Sequence, residues 1–322
     1  MAQILDSLAG NLLVPTILFF ALGLAAAFAR SDLSIPTGAA KFMSIYLLLA
    51  IGFKGGASLA EHGLSPDLFS ALAAGVALSF VIPFVAFALL KAMTRLNTLN
   101  AAALAGHYGS ISIVTFVTAT SLLELSGIDY EGYMVAVAAA MEVPAILSAL
   151  WLAHRAGDQG ETPKGLWRDL LANGSIVLLV GAFAIGAVTG KEGLTMISPF
   201  IIAPFTGVLC LFLLDMGLAA GRSLLTNRGQ LTPGLFAFGM IMPVIGALMA
   251  LALARLSGLS DGGSFLLMVL AASASYIAVP AAMRIALPRA EPGIYLSMSL
   301  GVTFPFNITI GLPLYLWLAQ GG

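Results

Sequence analysis

Apolar runs of about twenty residues, separated by short polar stretches, succeed one another along the whole chain. A helix needs about 20 mostly apolar residues to cross the hydrocarbon core of a bilayer. By that measure the sequence predicts ten membrane helices, at residues 12–29, 36–53, 67–90, 98–123, 132–153, 171–189, 196–218, 233–254, 263–286 and 293–318. The second is bounded by Lys41 near its start and Lys54 near its end. The expected fold class is therefore all-α and integral to a membrane.

Loop charges then orient the spans, because cytoplasmic loops collect basic residues. The loops after the first, third, fifth, seventh and ninth helices carry 11 of the 14 Lys and Arg residues. The alternate loops hold only Lys54, Lys191 and Arg255, and Glu124, Asp129 and Glu131 make the fourth purely acidic. This places both termini outside a bacterial inner membrane.

The two halves echo one another at a nearly constant offset. Pro83 matches Pro243, Pro144 matches Pro305, Gly56 matches Gly217, Gly23 matches Gly186 and Tyr108 matches Tyr276, each in the corresponding helix. With five helices per half, the second half must insert upside down, which is the pattern of inverted-repeat transporters. The expected organisation is a first repeat at 1–155, a cytoplasmic linker at 156–170 and a second repeat at 171–322.

In the fourth helix of each half the apolar pattern breaks at mid-span, in LAGHYGSISIVTF (Leu104 to Phe116) and ASASYIAVPAAM (Ala272 to Met283). Gly106 and Gly109 permit an opened backbone and Pro280 withdraws a donor. Such backbone is tolerated at this depth only beside protein or a water-filled cavity, so the breaks mark a site. The second half of each broken helix is expected to start near Ser110 and Ile277, with its positive dipole end turned to the midplane. Two such ends can bind a small anion without a basic side chain. Gly109, Ser110, Ile111 and Ser112 on one side, and Ser275, Tyr276, Ile277 and Ala278 on the other, are the candidate anion contacts.

Glu142, mid-way along the fifth helix, is the acidic residue most deeply placed, and function is the default reading of a charge there. With Thr115, Ser273, Thr303 and Asn307 it forms an oxygen-rich set suited to a hard cation such as sodium. Carbonyls freed at Pro144 and Pro305 could add to it. His107, beside the first break, reads as proton-linked or structural. Lys54 and Asp215 stand at corresponding positions in the two halves and read as snorkelling ends.

Composition narrows the classes. With 60% hydrophobic and 9% charged residues and a mean hydropathy of +1.02, a soluble fold is excluded, since soluble domains carry roughly a quarter charged residues. A net charge of −1 with dispersed basic residues gives no footprint for nucleic acid. Cys210 cannot form an internal disulfide and reads as a small buried hydrophobe. The start MAQILDSLAGNLL lacks a basic n-region, so the first helix is expected to be retained. There is no HExxH, GxSxG or paired Asp motif, and His62, His107 and His154 are scattered, so no enzyme and no cofactor beyond a coupling ion is expected.

At GHYGSISIVTFVTAT (Gly106 to Thr120) and SYIAVPAAMRIALPRAEPGIYLSMSLGVTFPFNITIGLPLYL (Ser275 to Leu316) the chain resembles the sodium-dependent bicarbonate transporters known from cyanobacteria. That resemblance implies uptake of bicarbonate with sodium, a five-plus-five helix fold in membrane lipid, a homotrimer, and a PII-like regulatory protein docking on the cytoplasmic face. It places the anion around Gly109, Ser110 and Ser275, with sodium nearby. The residues alone also admit a sodium- or proton-coupled carrier of a small organic carboxylate, or, in a different class, an anion channel. Paired breaks in inverted halves and the lack of a nearby Arg clamp favour a carrier of a small anion.

Overall fold

The computed structural model describes residues 14–63, 66–155, 174–227, 229, 231–276, 279–280, 283 and 287–321. No β-strand occurs among them. In chain order the helices are α1 (Pro15–Phe28), α2 (Thr37–His62), α3 (Pro66–Met93), α4 (Thr98–Gly109), α5 (Ile113–Ser126), α6 (Met134–Ala140), α7 (Glu142–Arg155), α8 (Gly174–Ile201), α9 (Phe205–Thr226), α10 (Pro233–Leu256), α11 (Asp261–Ala271) and α12 (Pro292–Ala319). Taking α4 with α5 and α6 with α7 as single spans, eight helices among the described residues are long and apolar enough to cross a membrane. The shorter apolar helices α1 and α11 bring the apolar segments to ten. The linker at 156–170 lies outside the described residues.

Helix starts follow ordinary capping chemistry. Pro15 and Pro233 open α1 and α10, where a missing N–H costs nothing. Asn97, Ser112 and Ser260 cap α4, α5 and α11 with side-chain oxygens. Gly127 closes α5 in the left-handed region (φ 65°, ψ 29°).

Two boundaries differ from the sequence reading. α2 continues to His62, so Lys54 is an interior residue, and its ammonium pairs with the Glu124 carboxylate. The pairing replaces the snorkelling expected of a helix end. Likewise α8 runs through a kink at Gly190 (φ 57°, ψ −146°) to Ile201, and the connection falls at 202–204. The polar stretch Thr189 to Thr195 looks like a loop by hydropathy, yet its backbone is helical on both sides of the glycine.

The helices sort into two groups. In one, α1 packs on α9 and α2 on α8, with α2 and α9 joining the pairs. In the other, α3 packs on α4, α7 and α10, α10 packs on α11, and α11 on the last part of α12. Glycines bring the first group into backbone contact. A Cβ at Gly23 would stand 2.1 Å from Leu214 O and 3.0 Å from Leu218 N; at Gly186 it would stand 2.2 Å from Phe53 O and 3.0 Å from Ala57 N. From the other side, a Cβ at Gly217 would lie 2.2 Å from Phe20 O, and at Gly56 1.9 Å from Phe183 O. These two sets of contacts are the same contact made twice, once between α1 and α9 and once between α8 and α2.

A second contact is also made twice. Glu131, before α6, accepts the Ser260 backbone N–H (2.8 Å) and hydroxyl (3.0 Å) at the start of α11. Glu291, before α12, donates its backbone N–H to Asn100 Oδ1 (2.9 Å) and accepts from Asn100 Nδ2 (3.2 Å) at the start of α4. α11 and α4 are thus anchored alike at their starts.

Candidate functional site

The first break begins where α4 is pressed onto α3. A Cβ at Gly109 would lie 2.4 Å from Pro83 Cγ and 2.8 Å from Ser79 O, so only glycine fits. The backbone is then extended at Ser110 (φ −92°, ψ 170°) and Ser112 (φ −106°, ψ 107°) before α5 starts at Ile113. The restart is three residues later than the sequence suggests, because Ser112 is the cap. Its Oγ accepts the Thr115 N–H (3.3 Å) and hydroxyl (2.9 Å). Ser110 is thereby left free of capping duty, and its hydroxyl donates to Glu142 Oε2 at 2.8 Å. Glu142 is buried, 8% exposed, so this carboxylate sits in a setting where unpaired charge is costly.

The segment around Glu142 is shaped by a residue the sequence reading did not select. Ser79 Oγ donates to Met141 O (2.5 Å) and accepts the Ala145 N–H (3.1 Å), standing in for the bond those two would make in a continuous helix. α6 ends at Ala140 and α7 restarts at Glu142 across this insertion. A serine one turn before Pro83 on an otherwise apolar helix was the available signal.

The second break follows α11. Residues 272–276 are not helical, and Asn307 Nδ2 donates to Ala272 O at 2.8 Å, holding the freed carbonyl. Ser273 donates back to Val269 O (2.6 Å), and the Ser275 hydroxyl accepts the Val279 N–H (3.4 Å). Ile277 and Ala278 lie outside the described residues.

The two breaks touch. Ser275 N–H donates to His107 O at 2.8 Å, and His107 Nδ1 bonds Ser275 O at 2.6 Å. A carbonyl oxygen only accepts, so Nδ1 carries the hydrogen. The imidazole stacks on Tyr295, centroids 4.5 Å apart at 23°. Among the described residues, His107 Nε2 and Tyr276 Oη are buried without a hydrogen-bond partner. The Tyr276 hydroxyl is turned to the Ser112 hydroxyl of the first break, at a geometry short of a bond.

Of the remaining oxygen donors, Thr303 donates to Gly239 O (2.8 Å), which makes Tyr108 the donor in its 2.5 Å bond to Thr303 Oγ1. Asn307 Oδ1 accepts from Tyr315 (2.9 Å). Within the expected cation set, Glu142 thus bonds Ser110, Thr115 bonds Ser112, Ser273 bonds Val269 O, Thr303 bonds Gly239 O and Asn307 bonds Ala272 O. Tyr108 and Tyr295, absent from the candidate site residues, each link α4 to α12.

A model of the Na+-dependent bicarbonate transporter superfamily matches residues 15–320. The chain belongs to that family. The match carries the resemblance seen in two blocks over nearly the whole sequence, and with the run of apolar helices it identifies a multi-pass membrane protein of a transporter family. Among curated proteins none matches the chain.

Proposed function

We propose that the protein takes up bicarbonate with sodium across a bacterial inner membrane, as a symporter working by alternating access. The contact between the two breaks carries this reading: the His107 and Ser275 bonds bring two polar, non-helical segments together, with Glu142 beside one of them. The twice-made glycine and carboxylate contacts support an inverted five-plus-five repeat, with the two breaks as its related halves. Bicarbonate would lie along Ser110 to Ser112 and Ser275 to Tyr276, satisfying the Tyr276 hydroxyl. Sodium would lie near Glu142, where it offsets both the carboxylate and the incoming anion.

Energetics favour coupling. Moving one negative charge into a cell at −100 mV costs about 2.3 kcal/mol, and each tenfold concentration step a further ~1.4 kcal/mol. A co-bound sodium cancels the first term and brings its own gradient to the second. The trimer, the PII-like regulator and both termini outside are carried into the proposal from the sequence reading.

Purified protein in liposomes, supplied with external labelled bicarbonate under an inward sodium gradient, tests the proposal. Sodium-driven accumulation is expected, with small carboxylates competing weakly. Flux that ignores sodium, or that prefers an organic carboxylate, overturns it.

A further inference from the structure

At the end of the molecule where α2 and α5 finish, the two helix groups part around a cavity of about 250 Å³ lined by Lys54, Ser58 and Lys191 on one wall and Thr120 and Tyr130 on the other, with Glu61 at the rim. In the orientation proposed above this is the outer face. Outside that cavity the outer loops carry one other basic residue, Arg255, and it is occupied by Ala319 O and Asp261. The cations available on the outer face are therefore gathered in one crevice between the groups.

Two donors there converge on a single oxygen. The Lys54 ammonium and the Tyr130 hydroxyl (3.2 Å) both bond Glu124 Oε1, and Lys54 also lies 5.2 Å from the centre of the Phe205 ring. A carboxylate and bicarbonate present the same planar pair of oxygens with one negative charge. The side chains of Lys54 and Glu124 keep 22% and 40% exposure, so dissolved anions can reach the pair.

We infer that this crevice is a second, outer anion site, in which the Glu124 carboxylate occupies the place that bicarbonate takes when it arrives from outside. The inference rests on the bicarbonate reading above. Exchange of one monoanion for another leaves Lys54 neutralised throughout, and the Phe205 ring keeps the ammonium in position. Lys191, on the same wall, adds attraction for the incoming ion. Because Glu124 is tethered, its effective concentration is about millimolar or above, so free bicarbonate is held weakly and passed on rather than trapped.

The test is initial uptake against bicarbonate concentration, at saturating sodium, for wild type, Lys54→Gln, Lys191→Gln and Glu124→Gln in the same liposomes. An anion site predicts opposite signs. Removing a cation raises the half-saturating concentration, by roughly 1.5-fold to fivefold for exposed pairs of this kind, while removing the competing carboxylate lowers it; maximal rates stay within about twofold. A strap that merely holds the two groups together is broken equally by Lys54→Gln and Glu124→Gln, so shifts in the same direction overturn the inference. Lys191→Gln touches an exposed residue and keeps the test open if Lys54→Gln folds poorly; no shift for it also counts against the site. Absence of sodium-driven uptake in wild type instead strikes the bicarbonate reading itself.

Discussion

Ser110 donates its hydroxyl hydrogen to Glu142 across 2.8 Å, joining the extended segment after α4 to the first residue of α7. The bond couples a candidate anion contact to a candidate cation ligand. Replacing Glu142 by Gln keeps the shape and removes the charge, and the sodium concentration for half-maximal uptake should rise by roughly tenfold or more, about 1.4 kcal/mol per factor of ten. Ser110→Ala should produce a smaller rise in both the sodium and the bicarbonate values. Sodium titrations of uptake at fixed bicarbonate measure both; an unchanged sodium dependence in Glu142→Gln would remove this residue from the coupling site.

His107 ties the two breaks through its ring as well as its backbone. His107→Ala leaves Ser275 O buried without that donor, a loss of about 1–3 kcal/mol for an unsatisfied buried group. Uptake should lose bicarbonate affinity, while His107→Asn, which keeps an N–H near the Nδ1 position, should recover part of it. Equal losses in both variants would show that ring volume and the stack on Tyr295 matter more than the hydrogen bond.

The glycine contacts make a stability prediction with a built-in control. Gly56→Ala and Gly217→Ala each force a methyl into a facing carbonyl, at 1.9 Å and 2.2 Å in the present geometry, and should destabilise by about 1–3 kcal/mol. Gly181→Ala, with nothing within 4 Å of its added carbon, should be neutral. Thermal unfolding in detergent compares the three.

Tyr130 supplies a pH prediction outside the spans. Burial first, and then the negative charge of Glu124, raise its phenol above the ordinary value of 10.0. A raised value means the proton is retained, so Tyr130 remains a donor to Glu124 up to at least that pH. The effect of Tyr130→Phe on bicarbonate half-saturation should accordingly be the same at pH 7 and pH 9. A difference between the two would mean the phenol titrates in that range.

Much of this was open to reading from residue order. Hydropathy located the apolar segments, since crossing a bilayer is a matter of length and polarity, but α2 and α8 run 9 and 12 residues past their expected ends. The first break was visible because Gly109 and three polar positions interrupt an apolar run. The extension of α8 past Gly190 was hidden, because charged and polar residues there continue a helix where hydropathy sees only a loop. The roles of Ser79 and of Glu124 were hidden for another reason. A serine that replaces a backbone bond in a neighbouring helix, and an ion pair between residues seventy positions apart, are properties of packing and leave no local pattern.

Where α1 meets α9 and α8 meets α2, main chain rests on main chain at Gly23, Gly217, Gly186 and Gly56, with no side chain between them at those four points to change rotamer. Such a seam cannot slip by the small side-chain adjustments that let ordinary helix interfaces shear, so these four helices form a stiff frame. The boundary between the two groups is bridged by longer or polar side chains as well: Lys54 to Glu124 at one end, Ser223 to Ser297 at the other. A frame held close at four glycines, facing a boundary spanned by a lysine and two serines, gives holding and bridging to different residues of the same sequence.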